Sequence, residues 1–262
     1  IVSCYNALPQ AGGANTLVRV SLKRVAEQAH GIDDFLGCLL PHYCRLASRL
    51  IEARAAFLHQ ESGFFDSFLV QEGLLEEGRF VPMFGIYGMA EAVNLLMDKE
   101  NLPERYGRDE EANQLGYRIS AQLARHVSET PQRHAWGGRA LLHSQGGLSV
   151  DRGVTPGVRI PYGEEPDPAS HVLALAPHHG FYHSGISEIL TLDPTIRQNP
   201  QALLQLCKGA LAIDRARAEL GYAPRHDIHS GIAAYIAEGS MTPEQGEQIL
   251  RAGRTNKKGF CD

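Results

Sequence analysis

The chain has 262 residues, of which 43% are hydrophobic, 21% charged and 7% aromatic, so it holds enough apolar material to bury a sizeable core. Its formal net charge of −5 argues against a general nucleic-acid binder, which would carry a basic excess. The longest stretch without Asp, Glu, Lys or Arg, residues 168–187, contains histidines, prolines and glycines that a membrane span would not accept. We therefore expect a globular protein with neither a nucleic-acid nor a membrane partner.

The ends and the cysteines indicate the context of the chain. It begins with isoleucine rather than methionine and ends without a polar tail, so we expect a fragment, with one domain over residues 1–262. Five cysteines without C-x-x-C spacing favour free thiols in a reducing cytoplasm over a disulfide framework or a zinc ribbon. Cys38, Cys44 and Cys207 lie in apolar helical patterns and are expected in the core.

The first half of the chain predicts two strands and two helices. Residues 16–22 alternate and are rich in β-branched side chains, which predicts a strand. Residues 33–60 have apolar side chains at helical spacing with an interruption near Pro41, which predicts one long or kinked helix. An apolar run bounded by glycines predicts a second strand over residues 80–85, and a helix follows over residues 89–99.

The second half predicts helices around an irregular stretch. Residues 109–130 open with an acidic turn and predict a helix that ends before Pro131. Residues 137–168 hold so many glycines and prolines that we expect irregular structure, which tends to line or cover a site. Two more helices are predicted near residues 201–220 and 242–252.

Two features could carry chemistry. Cys4 lies in the loop sequence S-C-Y-N-A-L-P-Q-A-G-G, where a thiol is either an inert small hydrophobe or a reactive group. His171, His178, His179 and His183 fall within a short segment that also contains glycines, which permit close approach to a ligand. The spacing matches no standard zinc set, so substrate contact or solvent exposure is favoured over metal ligation, and His178, His179 and His183 are the candidates for substrate binding. A metal-dependent hydrolase that uses the cluster from His171 to His183 remains the alternative.

Three phrases carry a resemblance to a known family. Cys4 in its loop is followed by two glycines and by T-L-V-R-V-S-L-K-R-V-A (residues 16–26), which resembles the cysteine loop of glycyl radical enzymes. The phrases F-V-P-M-F-G-I-Y-G-M-A-E-A-V-N (residues 80–94) and G-R-T-N-K-K-G-F-C-D (residues 253–262) resemble later parts of the same family. The likeness is to the YjjI-like branch and to the related anaerobic ribonucleotide reductases.

The resemblance implies a fold and a chemistry. The fold is α/β, part of a ten-stranded α/β barrel, here running from the cysteine loop to a point before the glycyl radical loop. The cofactor implied is a glycyl radical, installed by a radical S-adenosylmethionine activase as the partner protein. That radical would oxidise Cys4 to a thiyl, which abstracts hydrogen from an unknown small organic substrate in anaerobic metabolism. A homodimer is left open, and a non-enzymatic barrel homologue acting as a binding partner is the second alternative.

The sequence departs from the family pattern at two places. The phrase around Cys4 lacks the glutamate of G-C-x-E-P, so no carboxylate base accompanies the thiol. The glycyl motif R-V-x-G-[FY] is approximated only at Gly259, with Asn256 where the arginine belongs. We therefore expect the radical glycine beyond Asp262, with Gly259 as the less favoured position.

Overall fold

The structure, a computed structural model, describes residues 8–144, 151–190 and 192–219, with residues 210–219 described by their backbone alone. The strands of this part are β1 (Gly13–Ser21), β2 (Phe80–Tyr87) and β3 (Leu141–Ser144). Its α-helices are α1 (Leu22–Gln28), α2 (Ile32–Asp34), α3 (Leu40–Gln60), α4 (Phe68–Gln71), α5 (Met89–Lys99), α6 (Glu110–Glu129), α7 (Pro168–Leu175) and α8 (Pro200–Glu219). The predicted α/β class is confirmed.

The three strands form one parallel sheet in the order β1-β2-β3. Parallel neighbours need crossover connections, and helices supply them: α1 to α4 link β1 to β2, while α5 and α6 link β2 to β3. The register pairs Val18 with Phe84 and Phe84 with Leu142, so side chains in these rows lie on one face. A ten-stranded barrel needs strands beyond these three and stays a prediction.

One face of the sheet packs against the helices, and we call it the helical face. Val18, Val20, Phe84, Ile86 and Leu142 belong to it and join a single buried cluster with side chains of α1, α3, α5 and α6. Because β1 and β2 both send apolar side chains into this cluster, the prediction that they share an interior is confirmed. The opposite side of the sheet is called the second face.

The helix predicted over residues 33–60 contains a wider turn. A π-helical segment, Phe35–Leu39, lies between α2 and α3, and Pro41 sits in the first turn of α3. Proline has no N–H to donate and its ring crowds the carbonyl four residues earlier, which a wider turn relieves. The prediction of an interruption near Pro41 is therefore confirmed.

Two glycines are required next to the strands, Gly12 before β1 and Gly88 after β2. Gly88 joins β2 to α5 with a φ of 78°, a left-handed conformation that side chains rarely adopt. A Cβ at Gly12 would collide with the backbone carbonyl of Arg79, so the entry to β1 passes the start of β2 at close range. Both turns fix how the strands follow from their loops.

One prediction about the second half of the chain is wrong. Residues 137–168 were expected to be irregular, but they contain β3, a four-residue strand that is buried throughout. A strand buried on both faces shows no alternation, and four residues are too few to stand out among glycines. The helices predicted over residues 89–99, 109–130 and 201–220 are confirmed as α5, α6 and α8, and residues 242–252 lie outside the described residues.

Candidate active site

One row on the second face of the sheet holds two polar side chains, one on each side of a glycine; we call it the polar row. The register places Arg19 of β1 beside Gly85 of β2, and Gly85 beside His143 of β3. Residues paired across parallel strands share a face, so these three positions lie side by side. Met83 and Leu141 form the neighbouring row of the same face and are buried, which places the polar row in an apolar surrounding.

Arg19 is fixed in this row by three contacts. Its guanidinium donates two hydrogen bonds to the Asp151 carboxylate, at 2.6 and 3.1 Å, and lies 4.7 Å from the centre of the Tyr87 ring. A Cβ at Gly85 would lie 3.1 Å from Arg19 Cγ, so the missing side chain leaves room for the arginine stem to cross β2. The charges of Arg19 and Asp151 balance each other within this pair.

His143 differs from Arg19 because its side chain has no hydrogen-bond partner among the residues that the structure describes. It is 1% exposed, and neither Nδ1 nor Nε2 makes a hydrogen bond within residues 8–144, 151–190 and 192–219. Burial lowers its pKa from 6.5 to about 4, so the imidazole is neutral at pH 7 and offers one donor and one acceptor. Buried polar groups are nearly always satisfied, so this ring is ready to bond a group that reaches the second face.

His178 lies on the helical side and is fully partnered there. Tyr106 Oη donates to the Val158 carbonyl at 2.7 Å, so the 3.0 Å contact with Tyr106 makes His178 Nε2 the donor. Nδ1 then accepts from Ser120 Oγ at 2.8 Å, and Ser120 also contacts Tyr182 at 3.0 Å. Burial raises the pKa of Tyr106 well above its usual value, which keeps this network uncharged.

His179 and His183 are tied to the backbone. Leu142 N donates to His183 Nδ1 at 2.9 Å, and His183 N donates to the Leu142 carbonyl at 3.2 Å, so this residue lies along the free edge of β3. Ile186 N donates to His179 Nδ1 at 3.3 Å. These contacts hold the chain in place, and a role of the three histidines in substrate binding stays a prediction.

The donor set gives no support to the metal-dependent alternative. In the part of the chain that the structure describes, no group of three or more His, Cys, Asp or Glu side chains could hold a metal ion. The ring nitrogens of His178 bond Tyr106 and Ser120, and His171 lies 3.5 Å from a Glu188 carboxylate oxygen. The cluster is therefore organised by protein contacts.

The cysteines divide into three cases. Cys4 lies outside the described residues. Cys44 is buried, as predicted, and burial raises its pKa to about 12, which makes the thiol inert. Cys38 and Cys207 are exposed, so their placement in the core was wrong. Cys38 lies in the π-helical segment, whose wider turn changes which face of the helix each side chain occupies. Cys207 lies close in sequence to Leu204, which is itself 44% exposed.

A cavity lies near the start of β2. It measures about 380 Å³ and is lined by His59, Glu77, Gly78, Phe80, Arg133, His134, Ala135 and Trp136. His59 Nδ1 lies 2.9 Å from a Glu77 oxygen, and the rings of His59 and His134 stack at 4.8 Å. Asn15 of β1 donates to the His134 carbonyl at 2.8 Å, which joins this cavity to the start of β1.

Sequence reasoning missed Arg19, Asp151 and His143. Arg19 stands between two valines in V-R-V, so the alternation that predicts the strand already assigns it to the face opposite those valines. His143 carries no comparable signal, because β3 itself was not predicted.

Among the described helices, none is long and apolar enough to cross a membrane.

Comparison with known proteins gives a consistent result. The sequence profile of the YjjI-like glycyl radical enzymes matches residues 1–228. The YjjI protein of Escherichia coli (strain K12) is 60% identical over 269 residues, covering 97% of this chain and 51% of that protein. A protein of Haemophilus influenzae is 34% identical over 219 residues, covering 81% of this chain and 43% of its own length. The chain thus spans about half the length of these curated relatives.

Solved structures share the fold at low sequence identity. The anaerobic ribonucleotide reductase of Thermotoga maritima, solved with citrate in the active site, matches with a TM-score of 0.58 and 13% identity, over 76% of this chain and 39% of its own. The same enzyme in complex with dATP and CTP matches with a TM-score of 0.57 and 13% identity, over 74% and 35%. With a family profile that matches most of its length, the chain belongs to the YjjI-like family of glycyl radical enzymes.

Proposed function

We propose that the full-length protein is an enzyme of anaerobic metabolism that abstracts hydrogen from a small organic substrate held against the second face of the sheet. Family membership supports the radical chemistry. The observation that carries the placement is the row of Arg19, Gly85 and His143, in which the buried imidazole of His143 lies on the face opposite the helical face. Met83, Leu141 and His143 on this face are buried, and a buried, mostly apolar surrounding suits a reactive radical because it excludes water and oxygen.

Cys4 is the proposed catalytic residue, and its thiol works by hydrogen-atom transfer. A glycyl radical, expected beyond Asp262 with Gly259 as the alternative, supplies the unpaired electron when it is installed. Cys4 gives its S–H hydrogen to that carbon and becomes a thiyl. The thiyl then takes a hydrogen from a substrate C–H bond, which restores the S–H bond and leaves the unpaired electron on the substrate carbon.

The described residues prepare the place where that substrate would lie. Arg19 is held by Asp151, so its position is set before anything binds. His143 is buried and has both ring nitrogens available for hydrogen bonds. His178, His179 and His183 remain proposed contacts from the neighbouring layer, and a radical S-adenosylmethionine activase remains the proposed partner.

The proposal can be tested without knowing the substrate. The full-length protein is activated anaerobically, and the glycyl radical is followed by electron paramagnetic resonance in H₂O and in D₂O. A thiol exchanges its hydrogen with solvent, so reversible transfer through Cys4 replaces the glycine Cα hydrogen by deuterium and removes its hyperfine splitting. We expect this loss in the parent protein and in Cys38→Ala, whose exposed thiol serves as the control.

Cys4→Ala should form the radical and keep the splitting in D₂O. Loss of the splitting in this variant would show that another group exchanges the hydrogen, and Cys4 would leave the mechanism. Failure of the parent protein to form a radical would favour the non-enzymatic homologue.

A further inference from the structure

Two buried histidines have ring nitrogens without a hydrogen-bond partner among the described residues: His171 at Nε2, which lies 3.5 Å from a Glu188 carboxylate oxygen, and His143 at both nitrogens. His178 is equally buried, at 0% exposure, yet both of its ring nitrogens have partners in Tyr106 and Ser120. His143 is 1% exposed, and neither of its ring nitrogens has a partner in the described part of the chain. A buried polar group that lacks a partner destabilises the folded protein, so this histidine is poorly explained by packing.

The surroundings of His143 indicate which chemistry would satisfy it. Its neighbour two strands away, Arg19, carries a positive charge that Asp151 neutralises through two hydrogen bonds. The imidazole is itself neutral, so the charges of this row sum to zero. A neutral imidazole presents a donor at one ring nitrogen and an acceptor at the other, and the two point away from each other. A ligand that satisfies both must therefore offer an acceptor at one nitrogen and a donor at the other, and hydroxyl and amide groups can take either role.

An anionic group would be recognised less well at this place. A carboxylate or a phosphate only accepts hydrogen bonds, so it would bond the ring nitrogen that carries the proton and could offer no donor to the other nitrogen. It would also need Arg19 to give up a bidentate partner that already matches it. The geometry therefore favours an uncharged polar group over an acid.

We propose that His143 is a substrate-binding residue that hydrogen-bonds an uncharged hydroxyl or amide group, so that the substrate is neutral at the part that contacts β3. This inference rests on the proposed function, because it places the substrate on the second face. It adds a residue and a chemical class that the family likeness does not supply. His143 is a residue of the described structure, so it can be tested independently of the radical.

The first test is the sign of a stability change in the full-length protein without ligand. His143→Leu replaces an unpartnered polar ring by an apolar side chain, so we expect an unchanged or higher melting temperature. His178→Leu is the matched control: it has the same burial but loses two partnered nitrogens, and its melting temperature should fall clearly. A fall in His143→Leu as large as in His178→Leu would overturn the proposal, since it would show that His143 is structural.

The second test is selectivity for charge. Matched pairs of small molecules that differ only in an amide or a carboxylate, such as lactamide and lactate or malonamide and malonate, are titrated against the unactivated protein. The binding is read from the ring signals of histidine labelled with ¹³C, and His143→Gln identifies the signal of this residue. We expect saturable shifts of that signal with the amides, at least tenfold tighter than with the acids.

Two results would refute the inference. They are equal or tighter binding of the acids, and an absence of any shift at His143 with every amide. Neither outcome bears on the radical, which is measured separately by paramagnetic resonance. If the protein forms the glycyl radical but His143 does not respond to any amide, the proposed function stands and this inference fails. If His143 responds to the amides but no glycyl radical forms, the binding role of His143 stands and the proposed radical function fails.

Discussion

The ion pair between Arg19 and Asp151 provides a quantitative test of how the second face is organised. The pair makes two hydrogen bonds, and its side chains are only 17% and 8% exposed. Asp151→Asn preserves the shape of the side chain but leaves the guanidinium charge without a counter-charge. Removing one partner of a buried pair costs roughly 3 to 5 kcal/mol. Because Arg19 keeps some contact with water and the amide oxygen still accepts a bond, we expect a loss of about 2 to 3 kcal/mol.

The assay is denaturant unfolding of the full-length protein, with the free energy of unfolding extrapolated to water. The chain offers a matched control in the pair between Arg105 and Asp98, which has a similar distance of 2.7 Å but exposures of 42% and 56%. Solvent screens an exposed pair, so Asp98→Asn should cost less than about 1 kcal/mol. The difference between the two variants measures the burial of the pair on the second face.

A double-mutant cycle completes the test. Arg19→Met and Asp151→Asn are each expected to destabilise the protein, and the double variant should lose less than their sum, because no isolated charge remains. The reasoning is refuted if Asp151→Asn costs no more than Asp98→Asn, or if the two changes at the second face simply add.

Two further predictions concern the remaining buried contacts. Burial lowers the pKa of His143 from 6.5 to about 4, so between these values the unfolded chain binds more protons and stability falls as the pH falls, by at most about 3 kcal/mol. His143→Gln should flatten this part of the pH profile of unfolding, and an identical profile would contradict a neutral buried ring. A methyl group at Gly116 would lie 2.7 Å from the Tyr106 ring, so Gly116→Ala should cost about 1 to 3 kcal/mol in unfolding free energy. Gly209→Ala, with open space around it in α8, should be neutral or stabilising, and equal effects would disprove the tight packing at Tyr106.

The fold was predictable wherever the signal was local. The bounds of α5 match the predicted helix over residues 89–99, because its apolar spacing and its glycine boundary are contained in one window of sequence. β1 was placed by the alternation around Val18, which the burial pattern of the strand repeats. β3 has no such signal, since a short strand that is buried on both faces shows no alternation between buried and exposed residues.

The candidate site was less predictable, because register decides it. The density of histidines from His171 to His183 favoured substrate binding there. In the structure, the ring nitrogens of His178 bond Tyr106 and Ser120. His143 is a candidate because β3 pairs with β2. This pairing places His143 beside Gly85, although the two residues are far apart in sequence. Such pairings are long-range properties that composition and periodicity do not contain.

The two faces of the sheet thus satisfy their polar groups in different ways. On the helical side, His178 is partnered by protein groups, which stabilises the packing of α6. On the second face, His143 is left unsatisfied at a cost of about 1 to 3 kcal/mol, between apolar neighbours that an aliphatic side chain would match better. A group retained at that cost is expected where a ligand returns the missing hydrogen bonds. His143, rather than the histidine-rich segment, is therefore the position where a variant should alter binding more than folding.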